Sequence, residues 1–398
     1  MVSQRVLAAA VEQLEAGGVT RFELPNIANQ GGLDLAAVEH AWPDRLQLLM
    51  AAWTSRLAWR DCVIDTGSLR DDLLGFGESL RQGVQTPGGR MLFRSSLPID
   101  GADDFTDVRR EFWDAQFDNV TAIVDRAVQR GELRSDVDPL DFVRMFCTAM
   151  YFDALYLNGI GTPDYLDSMV DILLLGVAID PPGESAEMRR AIFDVVGAGQ
   201  QDALGEERPP PNLTQATSAE IRRAILDAAI RETTLRGPEL VTRSTIARRV
   251  GVTIQVVERM WKSDGDLLLD AGARVRERTR PLPDSGRLWK DLLSFADAKA
   301  GLISTADARK NYLSAILLDP TGRNAALVAE FWMAGLREST QMCLRAQDRG
   351  ELRDGVDPEH ATRILVVSLY YDLFFVNTAM RPEYAFTVLD VFLNGAAD

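Results

Sequence analysis

Apolar residues recur along this chain at steps of three and four. Val6, Ala10 and Leu14 do so near the start, then Leu46, Leu49 and Trp53, and later Phe142, Phe146 and Met150. That spacing puts each set on one face of an α-helix. No run of alternating β-branched residues reads as a strand, so the chain is predicted to be all-α. One long helix should hold Phe112, Phe117 and Val124, and the next should start near Pro139, with Asp138 as its N-cap.

The pattern is written twice. RGELRSDVDP at 130–139 returns as RGELRDGVDP at 349–358, an offset of 219. At that offset Glu111-Phe112-Trp113 falls on Glu330-Phe331-Trp332, DLLGFGE (72–78) on DLLSFAD (291–297), and Asp100 on Asp319. Tyr151, Asp153 and Asn158 fall on Tyr370, Asp372 and Asn377, and Trp42 on Trp261, with no gap needed. A period this long is not a solenoid; it describes two homologous units, each large enough for its own core. Within each, the decapeptide reads as a joint between two helices, and Asp357-Pro358 repeats the cap of Asp138-Pro139. The expected division is a head at 3–60 and a helical region at 61–180, a linker at 181–217, a second head at 218–280 and a second helical region at 281–398. Inside the linker, Ala186–Leu204 has a weak helical pattern and Gly205–Thr217 is Pro-rich and polar.

Composition changes the picture little. The chain is 46% hydrophobic and 26% charged, as in ordinary soluble proteins. Its longest apolar run, around Met169–Ile179, is too short to span a bilayer, and Met1 leads straight into a helical pattern, with no signal peptide expected. Cys62, Cys147 and Cys343 are odd in number and unmatched between repeats. Disulfides and a metal site are therefore not expected, and the cytoplasm is the expected compartment.

The start of each unit carries the functional signal. In the second, Thr242 can cap a helix holding Ile246, Ala247 and Val250. Gly251-Val252 turns the chain, Thr253 caps a second short helix ending at Trp261, and Ser263 opens a longer one with Leu267 and Leu268. Two short helices around a tight glycine turn make the helix-turn-helix that places its second helix in the DNA major groove. ILDAAI (225–230), TRSTIARRVGVT (242–253), the aromatic at 261 and the Leu pair after it resemble the tetracycline-repressor (TetR) family of bacterial regulators. So does RGEL followed by an Asp-Pro cap, and the resemblance spans both units. It implies double-stranded DNA as partner, with Thr242, Arg243, Arg248, Arg249, Thr253, Gln255, Arg259, Lys262 and, in the first head, Arg45 as candidate contacts.

Two departures from the family pattern matter. Where the family usually has a phosphate-contacting Tyr in the recognition helix, this chain has Glu39 and Glu258; where it commonly has a basic residue opening the next helix, Arg45 keeps it but Asp264 does not. The first recognition helix (Asp34–Trp42) has no Arg or Lys. Residues 1–60 carry a net −1, residues 218–280 a net +4, and the whole chain −16. Affinity for DNA comes largely from neutralising phosphates, and the field that matters is local to the contacting face. The second head is therefore expected to carry DNA binding.

The resemblance further implies that the last two helices of each unit (Leu140–Leu157 with Tyr165–Ala178, and Glu359–Val376 with Glu383–Asn394) pair as a four-helix bundle. That would make one chain a pseudo-dimer, with assembly of two chains left open. A small hydrophobic effector would lie among the middle helices. Candidate linings are Phe93, Phe112, Trp113, Phe117 and Tyr151 in unit one, and Tyr312, Phe331, Trp332 and Tyr370 in unit two. The same aromatics also fit plain core. Asp153 and Asp372 interrupt apolar helices at matching places and need partners, either in the bundle or on a cationic ligand. The remaining carboxylates read as solvated faces. His40 and His360 do not match between repeats and no Gly-rich phosphate loop is present, so neither enzyme chemistry nor a cofactor is expected. The competing expectation is a degenerate scaffold or sensor that acts through a protein partner.

Overall fold

The computed structural model describes residues 2–19, 22–57, 65–84, 86–96, 106–156, 163–176, 217–236, 241–277, 282–304, 309, 325–376 and 378–395. Among them the chain is helical, as expected; extended pairing is a single residue wide, at Leu133 and Leu352, which are equivalent positions of the repeated turn. The predicted linker up to residue 216, and with it the weak helix at Ala186–Leu204, lies outside the described residues, as do Cys62, Asp100, Asn158, Asp319 and Asn377. No helix among those described is long and apolar enough to cross a membrane.

The first head is built from α1 (Val2–Gly17), α2 (Leu24–Gly31), α3 (Leu35–Ala41) and α4 (Arg45–Leu57). Pro25 sits in the first turn of α2, where its missing N–H is no loss. Gly32 ends α2 at φ 57°, a conformation cheap only for glycine. Asp34 then caps α3, accepting from the Ala37 N–H at 3.2 Å. The predicted helix Asp34–Trp42 is thus α3 with its two caps.

The helical region of the first repeat, α5 (Leu69–Gly83), α6 (Pro87–Ser95), α7 (Thr106–Arg130), α8 (Pro139–Tyr156) and α9 (Pro163–Leu175), is followed by a second head. It comprises α10 (Ser218–Arg236), α11 (Arg243–Val250), α12 (Ile254–Met260) and α13 (Asp264–Glu277). Thr242 and Thr245 cap α11 reciprocally, and Gly251 ends it at φ 78°. Thr253 holds the N-cap position of α12, but its hydroxyl makes no capping bond. Ser263 and Asp266 cap each other's backbone N–H at 3.0 and 2.9 Å to open α13. Ile225, Ala229, Ile246, Ala247, Val257, Trp261 and Leu267 close a small apolar core beneath these caps. The chain continues through α14 (Leu288–Leu302), α15 (Ala325–Asp348) and α16 (Pro358–Ser368). A π-helical turn (Asp372–Val376) and α17 (Pro382–Asn394) complete it.

The repeated decapeptide is a joint in both halves. Its glycines, Gly131 and Gly350, take φ of 72° and 70°, and Asp357 caps α16 by accepting from Glu359 and His360 N–H. Its first arginine reaches back to the start of α5 in the first repeat and of α14 in the second. Arg130 lies 3.6 Å from Asp72 and 3.7 Å from Asp65, and Arg349 lies 4.0 Å from both Asp291 and Asp284. Asp72 and Asp291 have no solvent exposure. This corrects the reading of the carboxylates as solvated. Asp72 accepts from Thr66 N and Oγ1, both at 2.7 Å, and Asp291 from the Ser285 backbone N–H at 2.6 Å. Asp72→Ala should therefore cost about 2–3 kcal/mol, because it removes a buried acceptor that takes two short hydrogen bonds from Thr66. Chemical denaturation would read this, and a loss under about 0.5 kcal/mol would show that the turn does not need its carboxylate.

Two compact bodies form. One contains residues 1–184, 350–377 and 383–398, and the other residues 185–349 and 378–382. The last helices of the second repeat thus belong to the first body, where α16 packs on both α8 and α9. This is the predicted bundle, closed within one chain. The second arginine of each decapeptide fastens it from the opposite side. Arg134 of the first repeat bonds Asp390 of the second, while Arg353 donates to the Gly176 carbonyl at 2.9 and 3.2 Å. Equivalent glycines, Gly176 and Gly395, meet backbone to backbone where the two halves cross.

Candidate nucleic-acid interface and aromatic cluster

The second head displays its cations unequally. Arg248 and Arg249 stand exposed in the last turn of α11, with Thr253 and Gln255 exposed at the start of α12 and Arg259 and Lys262 at its end. Arg249 is shared with the buried Glu232 of α10, 2.7 Å away. Among the described residues no carboxylate lies within ion-pair distance of Arg248, Arg259 or Lys262. Thr242 is occupied as the α11 cap. Arg243 turns inward: its backbone N–H and Nε both donate to Asp264 Oδ1, at 2.8 and 3.0 Å. Its terminal nitrogen donates to the carbonyls of Lys262 at 2.6 Å and Trp261 at 3.3 Å. Sequence reasoning missed Arg222 of α10. It lies over the Trp261 ring at 5.6 Å and bonds Asp270, which also accepts from Trp261 Nε1 at 2.6 Å. No pattern in the sequence announces that three-part contact.

The first head offers no comparable set. Glu39 and His40 are exposed on α3, and Asp34 is a cap. Arg45, the candidate contact, is paired with Glu23 at 2.5 Å. Arg5 reaches the Gly31 carbonyl at 3.5 Å.

The five aromatic candidates of the first repeat come together. Phe93 stacks on Tyr151 with centroids 3.8 Å apart, Trp113 meets Phe93 at 5.3 Å and Phe112 at 5.2 Å, and Phe117 closes the group 5.8 Å from Trp113. All five are buried. Trp113 Nε1 donates to the Ser96 carbonyl at 2.9 Å, which satisfies the indole inside an apolar cluster. Two further rings escaped the sequence reading. Tyr371 and Phe375, stacked on each other at 5.2 Å, reach Phe117 at 5.6 and 5.8 Å, and Phe375 meets Trp113 at 4.9 Å. They come from the second repeat and flank or occupy the π-helical turn, a departure from 3.6-residue periodicity that no apolar pattern encodes.

Of the second repeat's candidates, Trp332 and Tyr370 are buried and Tyr370 contacts Phe374 at 5.8 Å. Tyr312 and the side chains of Phe331 and Asp153 lie outside the described residues. Asp372 is wholly buried at the start of the π-helical turn. Burial first, and then the field of Asp372, pushes the Tyr384 phenol well above its ordinary range, while its hydroxyl donates to the Ser368 carbonyl at 3.0 Å. Arg144 of α8 stands nearby, paired with Asp141 at 2.7 Å and lying over the Tyr371 ring at 5.2 Å. Burial works against that guanidinium charge, and Tyr371 and Asp141 more than offset it, so it titrates above its usual range.

Among the described residues no group of three metal-ligating side chains converges. The description "Tetracyclin repressor-like, C-terminal domain" fits residues 63–173 and again residues 282–392, at the same offset as the decapeptide. Curated relatives match one unit's worth of chain. The HTH-type transcriptional regulator AqdR of Rhodococcus erythropolis is 29% identical over 135 residues, 34% of this chain and 65% of its own length. The DNA-binding transcriptional repressor TetR of Mycobacteroides abscessus is 28% identical over 175 residues, 44% of this chain and 92% of its own. The uncharacterized HTH-type regulator YdeS of Bacillus subtilis is 22% identical over 174 residues, 43% of this chain and 86% of its own. With more than half of its length fitted by two copies of the family's C-terminal domain, each behind a helix-turn-helix, this chain belongs to the tetracycline-repressor family.

Proposed function

We propose that this protein is a ligand-responsive, DNA-binding transcriptional regulator of the cytoplasm whose second head carries the DNA contacts. One observation carries this reading: among the described residues Arg248, Arg259 and Lys262 are exposed without ion-pair partners, whereas Arg45 of the first head is held by Glu23. Cations already neutralised by carboxylates release few counterions from DNA, and free ones release about one each. The named relatives, one a DNA-binding repressor, support repression as the mode. A mobility shift on DNA from the protein's genomic neighbourhood, at low and moderate salt, tests the reading. A salt-sensitive shift is expected, unaffected by His40→Ala and abolished by disrupting α12; equal dependence on both heads would reject the asymmetry.

The second reading is a scaffold that acts through a protein partner, favoured by Glu39 and Glu258 where the resemblance leads one to expect a phosphate-contacting Tyr. Absence of any shift at low salt would favour it. For the effector, the seven-ring cluster of Phe93, Phe112, Trp113, Phe117, Tyr151, Tyr371 and Phe375 supports a flat, uncharged aromatic molecule. Such a ligand should raise the melting temperature, with about 2.7 kcal/mol of stabilisation at a hundredfold excess over Kd. A panel of uncharged aromatics with no effect on melting would leave the cluster as core.

A further inference from the structure

Each head closes its helix-turn-helix with one ion pair between the start of its second helix and the start of its fourth, but with opposite polarity. In the first head Glu23 precedes α2 and Arg45 opens α4. At the equivalent places of the second head stand Thr242 and Asp264, so both charges of that pair are lost or inverted. The compensation lies one residue along: Leu24 of the first head is Arg243 of the second, and it pairs with Asp264 at 3.0 Å. Three substitutions between the repeats thus preserve one tie. Asp264 also suits the N-terminus of α13, where the helix dipole favours a negative charge.

The second clamp extends beyond its ion pair. Besides Asp264, Arg243 donates to the carbonyls of Trp261 and Lys262, the residues that end α12 and carry one of the exposed cations. A planar guanidinium can serve these acceptors together, which an ammonium cannot. We propose that Arg243 is a positioning residue and no phosphate contact: with Asp264 it fixes the C-terminal end of α12 and the Lys262 backbone against α11, so that Arg259 and Lys262 are presented in register. This rests on the reading that the second head binds DNA.

The salt dependence of binding separates the two roles, using the full chain and the DNA fragment identified by mobility shift. Arg243→Gln should weaken binding about tenfold while the slope of log K against log salt stays within about 0.3 of wild type. Arg248→Gln, as reference, should reduce the slope's magnitude by about 0.9. Arg243→Lys keeps the charge but loses the fork, and should also lose affinity at constant slope. A slope change of about 0.9 for Arg243→Gln, or wild-type affinity in Arg243→Lys, would overturn the proposal. Amide hydrogen exchange supplies a readout independent of DNA: Arg243→Gln should speed exchange in α12 more than in α10. Unchanged exchange in α12 would remove the clamp itself. Faster exchange in a protein whose wild type binds no DNA would retain the clamp, and would refute its role in DNA binding together with the DNA reading.

Discussion

Replacing Gly395 with alanine is expected to produce one of the largest stability losses available to a single methyl group in this protein. At φ 78° the residue lies in the left-handed region, where an L side chain costs about 1–2 kcal/mol. The new Cβ would also lie 2.5 Å from the carbonyl carbon of Leu175 and 2.6 Å from the Gly176 nitrogen. Those are backbone atoms of a helix end and have no rotamer through which to retreat, so overpacking adds about 1–3 kcal/mol. The equivalent Gly176 is in the same position: φ 67°, with its built Cβ 2.5 Å from the Gly395 nitrogen. A loss of about 2–5 kcal/mol at either site, read from denaturation midpoints, is therefore expected. Gly355→Ala is the control. It has φ 84° but no atom within 4 Å of the built Cβ, and should lose only the conformational part. Equal losses at Gly395 and Gly355 would mean that the close crossing of the two repeats contributes nothing.

Neutralising Arg248 and Arg259 together should weaken DNA binding by about 10- to 100-fold near 0.1 M salt, and reduce the magnitude of the salt slope by about 1.8. Both side chains are exposed and unpaired among the described residues, so the double variant Arg248→Gln, Arg259→Gln should fold and melt like wild type. Arg249 is expected to contribute less to the slope, because Glu232 at 2.7 Å already satisfies part of its charge. This differs from the sequence expectation, which ranked Arg243, Arg248 and Arg249 alike. Titration of fluorescent DNA by polarisation at several salt concentrations measures both quantities. A double variant with unchanged slope would place the phosphate contacts elsewhere.

Local structure was legible wherever a residue's own chemistry decides it. Asp34 and Thr242 mark helix starts because a side-chain oxygen can reach a free backbone N–H, and Gly32 and Gly251 mark helix ends because only glycine takes positive φ cheaply. The joint at the repeated decapeptide was legible on the same grounds, whereas Phe93, Phe112, Trp113, Phe117 and Tyr151 were grouped only through the family resemblance. What the decapeptide's arginines touch was not. Arg130 turns back to Asp72 within its own repeat, and Arg134 crosses to Asp390 in the other, although only three residues separate the two arginines.

The sequence by itself thus determined the helical architecture, the doubling and the family, because periodicity, caps and the offset of 219 are properties of the chain read along its length. Tertiary structure alone decided which charges remain available. An arginine pairs with whatever carboxylate the fold brings within about 4 Å, so Arg243 and Arg45 became ties while Arg248, Arg259 and Lys262 meet no carboxylate among the described residues. It likewise brought Tyr371 and Phe375 to the first repeat's aromatic cluster and buried Asp72 and Asp291. Those outcomes depend on distances between residues remote in sequence, which no local pattern contains.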